Sequence, residues 1–136
     1  MAEFINTIDV LGDDAVIDSI IERTITEFKD DVITTVGQYA FYGCTALTVV
    51  DVPNVTRIEQ NAFCKCSALN ALILRNTQEV CTLASTNALQ DSAIAKDTGY
   101  IYIPRSLVDS YKSQTNFSSY DAQIRAIEDY PEITGG

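Results

Sequence analysis

The chain has 136 residues, of which 46% are hydrophobic and 21% are charged, a size and composition typical of one globular domain. Nineteen acidic residues against nine Lys and Arg give a net charge of -10, which disfavours binding to nucleic acid or to an anionic lipid surface. The sequence has no histidine, so it lacks the residue on which most nucleophile activation and proton shuttling at neutral pH depend.

The N-terminal segment is predicted to form a helix that closes one end of the fold. Apolar residues recur four positions apart within residues 15–22, as at Val16 and Ile20, and acidic Asp13 and Asp14 precede them. The first thirty residues have no basic start followed by an apolar core and a small-residue cleavage site. No apolar run approaches the roughly 20 residues that span a bilayer. We therefore expect neither a signal peptide nor a transmembrane segment.

An internal repeat follows this segment. Residues 36–47 align without a gap to residues 58–69, at a constant offset of 22 positions. The matched pairs are Gln38/Gln60, Ala40/Ala62, Phe41/Phe63, Cys44/Cys66, Ala46/Ala68 and Leu47/Leu69, with Val50/Leu72 and Val52/Leu74 after them. Each unit predicts a short turn that holds Ala and Phe, then Cys, then a strand, and one unit alone cannot bury its apolar face. Stacked units can, so a repeat fold is predicted.

Weaker copies flank the two central units. Residues 24–28 can serve as a first unit, and residues 87–89 correspond to a degenerate Ala-Phe element. Residues 100–104 repeat the strand and proline of residues 49–53, after an insertion and without the cysteine. The last copy is therefore predicted to be longer than the others.

Two short helices are predicted at the C-terminal end. Ser106 and Ser118 each begin a segment that fits a capping-box-like start followed by helix-forming residues. The second helix would place Tyr120, Ile124 and Ile127 on one stripe facing the core. These helices are expected to close the other end of the repeat.

The central units resemble the BspA-type leucine-rich repeat, in which an Ala-Phe pair, a Cys and strand aliphatics recur at about this spacing. The match is specific over residues 33–74. The resemblance implies an α+β fold, a small leucine-rich-repeat solenoid with N-terminal and C-terminal helical caps. We expect one domain over 1–136, with an N-terminal cap and first unit (1–31), the repeat solenoid (32–104) and a C-terminal cap and tail (105–136).

Most of the chain is also similar to short repeat proteins encoded by bacteriophages and prophages. The similarity lies in the Leu-Gly-Asp-Asp-Ala start at residues 11–15, the Tyr-Ile-Pro strand ending at 102–104 and the Leu-Val-Asp-Ser-Tyr-Lys segment at 107–112. This resemblance implies a virion or host-contact protein.

The four cysteines are the most tempting candidates for chemistry. Cys64 and Cys66, with Cys44 and Cys81, have the right atoms for zinc, but Cys44 and Cys66 are equivalent repeat positions that stacking alone explains. We expect no metal and no cofactor, with Cys44 and Cys66 buried and reduced. Cys64 stands where the preceding unit has Tyr42, so it is predicted to be the more exposed thiol.

A partner-binding face is predicted on one side of the strands. Period-2 alternation turns one set of side chains away from the core: Val49, Asp51, Ala71, Ile73, Tyr100 and Tyr102. An exposed apolar ladder of this kind marks an interface. The alternative is that the C-terminal helices fold back over it.

These features predict a non-enzymatic structural or attachment protein of a phage virion, such as a tail, fibre or capsid-decoration component. Its expected partners are other virion proteins or a host surface receptor, and a closed homo-oligomer such as a trimer is favoured. A bacterial BspA-like surface adhesion module remains an alternative. A hydrolase using carboxylates is a second alternative, and it requires acidic residues clustered in a cleft.

Overall fold

The structure is a computed structural model that describes residues 16–17 and 25–134. Within these residues the chain forms nine short strands and several one-turn or two-turn helices. The strands are β1 (Val16–Ile17), β2 (Glu27–Lys29), β3 (Thr35–Val36), β4 (Val49–Asp51), β5 (Arg57–Ile58), β6 (Ala71–Ile73), β7 (Thr82–Leu83), β8 (Tyr100–Ile103) and β9 (Ile124–Ala126). The α-helices are α1 (Val108–Ser113) and α2 (Pro131–Thr134), and 3₁₀ turns lie at Thr86–Leu89, Arg105–Leu107, Phe117–Gln123 and Ile127–Asp129.

The strands form two parallel sheets. Sheet A has the order β1-β3-β5-β7, and sheet B has the order β2-β4-β6-β8-β9. Successive strands from β1 to β8 alternate between the sheets, so each repeat contributes one strand to each. The result is the α+β repeat fold that the sequence predicts. None of the helices in the described residues is long and apolar enough to cross a membrane.

Strand register follows the 22-residue period of the sequence. In sheet B, Phe28 pairs with Val50 and Val50 with Leu72. In sheet A, Val36 pairs with Ile58. The predicted insertion is confirmed, because Leu72 pairs with Ile101, 29 positions later. Strand β8 still pairs with β6 in parallel, and the extra residues lie between the two strands in sequence, outside the paired positions.

The core contains a column of three aromatic rings, in which Phe41 and Phe63 are equivalent repeat positions and Phe28 comes from strand β2. The ring of Phe41 lies 5.0 Å from that of Phe28 and 5.2 Å from that of Phe63, centroid to centroid, and all three are fully buried. The N–H of Phe41 donates to the carbonyl of Ala62 at 2.8 Å, and the N–H of Phe63 donates to that of Ala88 at the same distance. The small side chain of alanine lets consecutive turns approach this closely. The predicted stacking of the repeats is confirmed at Phe41 and Phe63. The degenerate Ala-Phe element at 87–89 is confirmed as well.

A left-handed backbone residue recurs in the turn of each repeat. Gly43, Lys65 and Asp91 have φ values of 72°, 66° and 60° at corresponding positions. The N–H of Gly43 donates to the carbonyl of Cys64 at 2.9 Å, and the N–H of Lys65 donates to that of Gln90 at 2.7 Å. A residue with a side chain costs about 1 kcal/mol or more in this conformation, so the contact with the next repeat must stabilise the turn.

The predicted N-terminal helix is wrong at the two positions that the structure describes. Val16 and Ile17 form β1, and Val16 pairs with Thr35 of β3. Both are β-branched residues, which suit a strand, and β3 offers them an open edge. The remainder of the predicted helix, with Asp13 and Asp14, lies outside the described residues.

The first predicted C-terminal helix is present as α1, although its predicted cap is not. The residue before α1 is Leu107, which makes no side-chain capping bond, and a 3₁₀ turn precedes it. The second predicted helix is wrong from Ile124 to Ala126, although its start lies in the 3₁₀ turn at Phe117–Gln123. Ile124 lies in β9 and pairs with Ile101 of β8, because a strand here satisfies backbone groups at the edge of β8 that a helix would leave unpaired.

Loss of one ring from the column should destabilise the whole stack. We expect Phe63→Ala to lower the free energy of unfolding by about 3–5 kcal/mol, because the cavity would lie between two packed repeats. Thr45→Ala, on an exposed turn residue, should change it by less than about 0.5 kcal/mol. Urea denaturation of both variants measures this, and equal midpoints would refute the proposed column.

Candidate functional site

The six residues of the predicted partner-binding face do lie together in sheet B. They form two cross-strand rows, Val49–Ala71–Tyr100 and Asp51–Ile73–Tyr102. Their predicted exposure is wrong for three of them, because Ala71, Ile73 and Tyr102 are only 2%, 1% and 2% exposed. These three positions are not available to a partner in this conformation.

The chain's own C-terminal segment covers this face. Ile127 packs in one buried cluster with Ala71, Ile73 and Tyr102, and Tyr130 packs against that cluster. The rings of Tyr102 and Tyr130 are 5.5 Å apart and meet edge to face. The fold-back alternative is therefore the correct one, although a strand and a 3₁₀ turn provide the cover where helices were predicted. An apolar face of this size is more stable covered than exposed to water.

Polar groups at the margin of this cover are held in place. The guanidinium of Arg125 lies 4.5 Å from the centre of the Tyr100 ring, a cation–π contact. Burial raises the pKa of Tyr102, and the neighbouring Tyr130 and Tyr100 add to the effect. Only Val49, Asp51 and Tyr100 of the six residues keep partial exposure.

The accessible part of sheet B ends in a cleft of about 390 Å³. It lies where β2, β4 and β6 end, and we call it the strand-end cleft. The residues that line it are Lys29, Asp30, Asp31, Val32, Asp51, Pro53 and Arg75. Its volume falls in the range of small-molecule and side-chain binding sites, and Asp51 is the one residue it shares with the predicted face.

Two of the cations at this end of the sheet already have carboxylate partners. Arg75 makes a two-pronged contact with Asp51, with Nε to Oδ1 and Nη2 to Oδ2 both at 2.9 Å. Lys29 lies 3.6 Å from Glu27 on the outer face of β2. Paired hydrogen bonds of the first kind fix both side chains, so Arg75 forms a rigid wall of the cleft.

Asp30 is the buried acid of the cleft. It is 6% exposed, and its Oδ1 accepts hydrogen bonds from the N–H groups of Val32 at 2.7 Å and Ile33 at 3.0 Å. Its Oδ2 is buried and has no hydrogen-bond partner. Beside it, the amide of Asn54 donates to the backbone carbonyl of Asp31 at 2.6 Å, which anchors the loop to the next repeat.

Sequence reasoning missed this cleft, although the repeat register contains the signal. Asp30 donates its N–H to the carbonyl of Asp51, as Val52 does to Ile73 and Leu74 does to Tyr102. Asp30 therefore occupies the position at which the later repeats bury Val52 and Leu74. A buried acid at an apolar repeat position is costly and calls for an explanation.

The predicted exposure of Cys64 is also wrong. Cys64 is 4% exposed, and burial and the nearby Asp91 raise the pKa of its thiol. Cys44, Cys66 and Cys81 are fully buried, as predicted for the first two, and none of the four cysteines forms a disulfide. Among the described residues, no group of three or more His, Cys, Asp or Glu side chains could hold a metal ion.

The repeat geometry agrees with a comparison against known families. A model of the BspA type leucine rich repeat region matches residues 3–107 in six copies. The chain belongs to this family. Leucine-rich repeats are generally non-enzymatic and often mediate contacts between proteins. No curated protein and no solved structure gives a significant match.

A charge at Ile73 should destabilise the fold, because this side chain is buried. We expect Ile73→Asp to lower the free energy of unfolding by about 3–5 kcal/mol, because an unpaired carboxylate would lie beneath Ile127 and Tyr130. The matched control is Ile133→Asp, since Ile133 is 44% exposed and should tolerate the same change within about 0.5 kcal/mol. Thermal or urea denaturation decides it, and an unchanged Ile73→Asp would show that the C-terminal segment does not cover this face.

The thiol of Cys81 should make stability depend on alkaline pH. Burial raises the pKa of this thiol from about 9 to about 12. The folded protein therefore keeps a proton that the unfolded chain has lost, so stability falls as pH rises from about 9 to about 12, by up to about 1.4 kcal/mol per pH unit.

Denaturation at several pH values under reducing conditions measures this slope. The fall in stability with pH should be shallower by up to about 1.4 kcal/mol per pH unit in Cys81→Ala. It should be unchanged in Thr82→Ala, a substitution at an exposed neighbour. Parallel slopes for wild type and Cys81→Ala would show that this thiol is not buried.

Proposed function

We propose that the protein is a non-enzymatic contact module, a structural or attachment component of a phage particle that binds other virion proteins or a host surface receptor. The leucine-rich repeat supports a role in protein contacts. The similarity of most of the chain to short phage and prophage repeat proteins supports the setting, and the net charge of -10 argues against nucleic acid as a partner.

We propose further that the chain is a short solenoid closed by a C-terminal cap. Side chains from the C-terminal segment take the backbone bonds that a further repeat would use. The hydroxyl of Tyr111 accepts from the N–H of Cys81 at 2.6 Å, and the amide of Asn116 donates to the carbonyl of Leu83, also at 2.6 Å. These bonds support a closed end at β7, so another copy is not expected to add to that edge.

The strand-end cleft is the contact site that we favour. The observation that carries this assignment is Val32, a large apolar side chain that is 56% exposed at the rim of a charged cleft. An apolar anchor surrounded by charged groups is the usual composition of a protein interface. The predicted face at Ile73 and Tyr102 is buried, so the accessible end of the same sheet takes its place in the proposal.

The test is assembly of the native protein. Val32→Asp should weaken association with itself or with neighbouring virion proteins by at least about tenfold, because a carboxylate would be buried at the contact. The matched control is Ile133→Asp, on a side chain that is 44% exposed in α2 and far along the chain from the cleft. This control should associate like the wild type.

Native mass measurement, alone and with virion proteins, reads the result. A closed homo-oligomer such as a trimer is the form we propose, and loss of its mass in Val32→Asp alone would support a contact between copies. Loss of a complex with another virion protein would support a contact within the particle. If Val32→Asp keeps every assembly of the wild type, the strand-end cleft is not the contact site.

A further inference from the structure

We propose that the strand-end cleft binds a positively charged organic group, an alkylammonium or guanidinium from a basic side chain of the partner protein. The inference rests on the proposed contact function and names the chemistry of what is recognised.

Asp30 occupies a repeat position that is apolar in the later repeats. In sheet B the corresponding residues of later repeats are Val52 and Leu74, which are 0% and 1% exposed. Apolar side chains satisfy the packing there without cost, whereas an acid at 6% exposure loses most of its hydration. A structural role for Asp30 in its loop needs only one of its oxygens.

The loop around Asp30 satisfies only one of its two carboxylate oxygens. Oδ1 accepts both loop hydrogen bonds, from Val32 and Ile33, whereas Oδ2 is buried and unpaired. Leaving a buried carboxylate oxygen without a donor is unfavourable, and Asp30 is one of the residues that line the cleft. Because Oδ2 itself is closed to solvent, a donor group that enters the cleft would reach it by displacing the side chains that cover it.

The residues that line the cleft have more negative than positive charges. Arg75 is paired with Asp51, and Lys29 with Glu27, so these four charges balance. Asp30 and Asp31 have no ion pair with any described residue, which leaves the cleft with excess negative charge. A cationic ligand is therefore favoured over an anionic one.

The number of acidic side chains near the cleft favours an organic cation over a metal ion. No three acidic side chains in the described part of the chain lie close enough together to hold a metal ion. An alkylammonium or guanidinium needs fewer carboxylates, because its own N–H groups donate directional hydrogen bonds. In a protein partner such a group comes from Lys or Arg, and Val32 at the rim can pack against its aliphatic stem.

Nuclear magnetic resonance titration at low salt tests the proposal. The probe is arginine blocked by acetylation and amidation, and the neutral control is citrulline blocked in the same way. We expect saturable shifts of the backbone amides of Val32 and Ile33 with about millimolar affinity for the arginine probe, and no saturable shifts for citrulline. Asp30→Asn should weaken the arginine probe by at least tenfold, whereas Asp121→Asn, an exposed acid outside the cleft, should leave its affinity unchanged.

Titrations with two further ligands, spermidine and Ca²⁺, test whether the bound cation comes from a protein side chain. Spermidine binding at least tenfold tighter than blocked arginine would overturn the assignment to a protein side chain, and Ca²⁺ producing the same shifts at lower concentration would overturn the organic cation. If Asp30→Asn does not fold, Asp31→Asn at an exposed cleft residue should weaken the arginine probe at least twofold. An affinity unchanged by the acid substitution, or equal shifts with citrulline, would refute the proposal.

The outcome is independent of the assembly test. Failure of the arginine probe together with loss of assembly in Val32→Asp would reject the basic side chain and keep the contact function. Binding of the probe at Asp30 together with unchanged assembly would keep the cation site and reject the cleft as the contact surface.

Discussion

Stacking of each repeat on the next, in fixed register, is the interaction on which the structure depends. A single unit of this size has one apolar face and nothing of its own to bury it against. The column of rings from Phe28, Phe41 and Phe63 buries that face. Backbone hydrogen bonds from Phe41 to Ala62 and from Phe63 to Ala88 align each turn with the turn of the next repeat. Packing sets the spacing, and the backbone bonds set the register.

A stack of this kind has ends and an outer face, and the C-terminal segment deals with both. Tyr111 and Asn116 occupy backbone groups at the last strand of sheet A, while β9 extends sheet B and leads Ile127 across its outer face. The cover reaches β6 and β8 and leaves the ends of β2 and β4 open. The strand-end cleft lies in that uncovered part, which is why we place the proposed contact there.

The repeat register could be predicted from sequence because equivalent residues recur at one spacing, which strands β2, β4 and β6 follow, and because the strand and proline pattern of β8 recurs after the insertion. Exposure could not be predicted in the same way. Alternation shows that Ile73 and Tyr102 leave the core side of the sheet, but it does not show what packs on the other side. The segment at Ile124 fits a helical stripe as well as a strand, and the open edge of β8 decides between them. Asp30 could have been found by aligning the first, weaker unit with Val52 and Leu74.

The most direct test of the stacking is scalar coupling across individual hydrogen bonds in the nuclear magnetic resonance spectrum. Such a coupling joins the amide nitrogen of the donor to the carbonyl carbon of the acceptor, so it identifies the register residue by residue. The structure predicts couplings from Phe41 to Ala62 and from Phe63 to Ala88. Couplings from these amides to any other carbonyl, or amides that exchange freely with solvent, would contradict the stacked repeat.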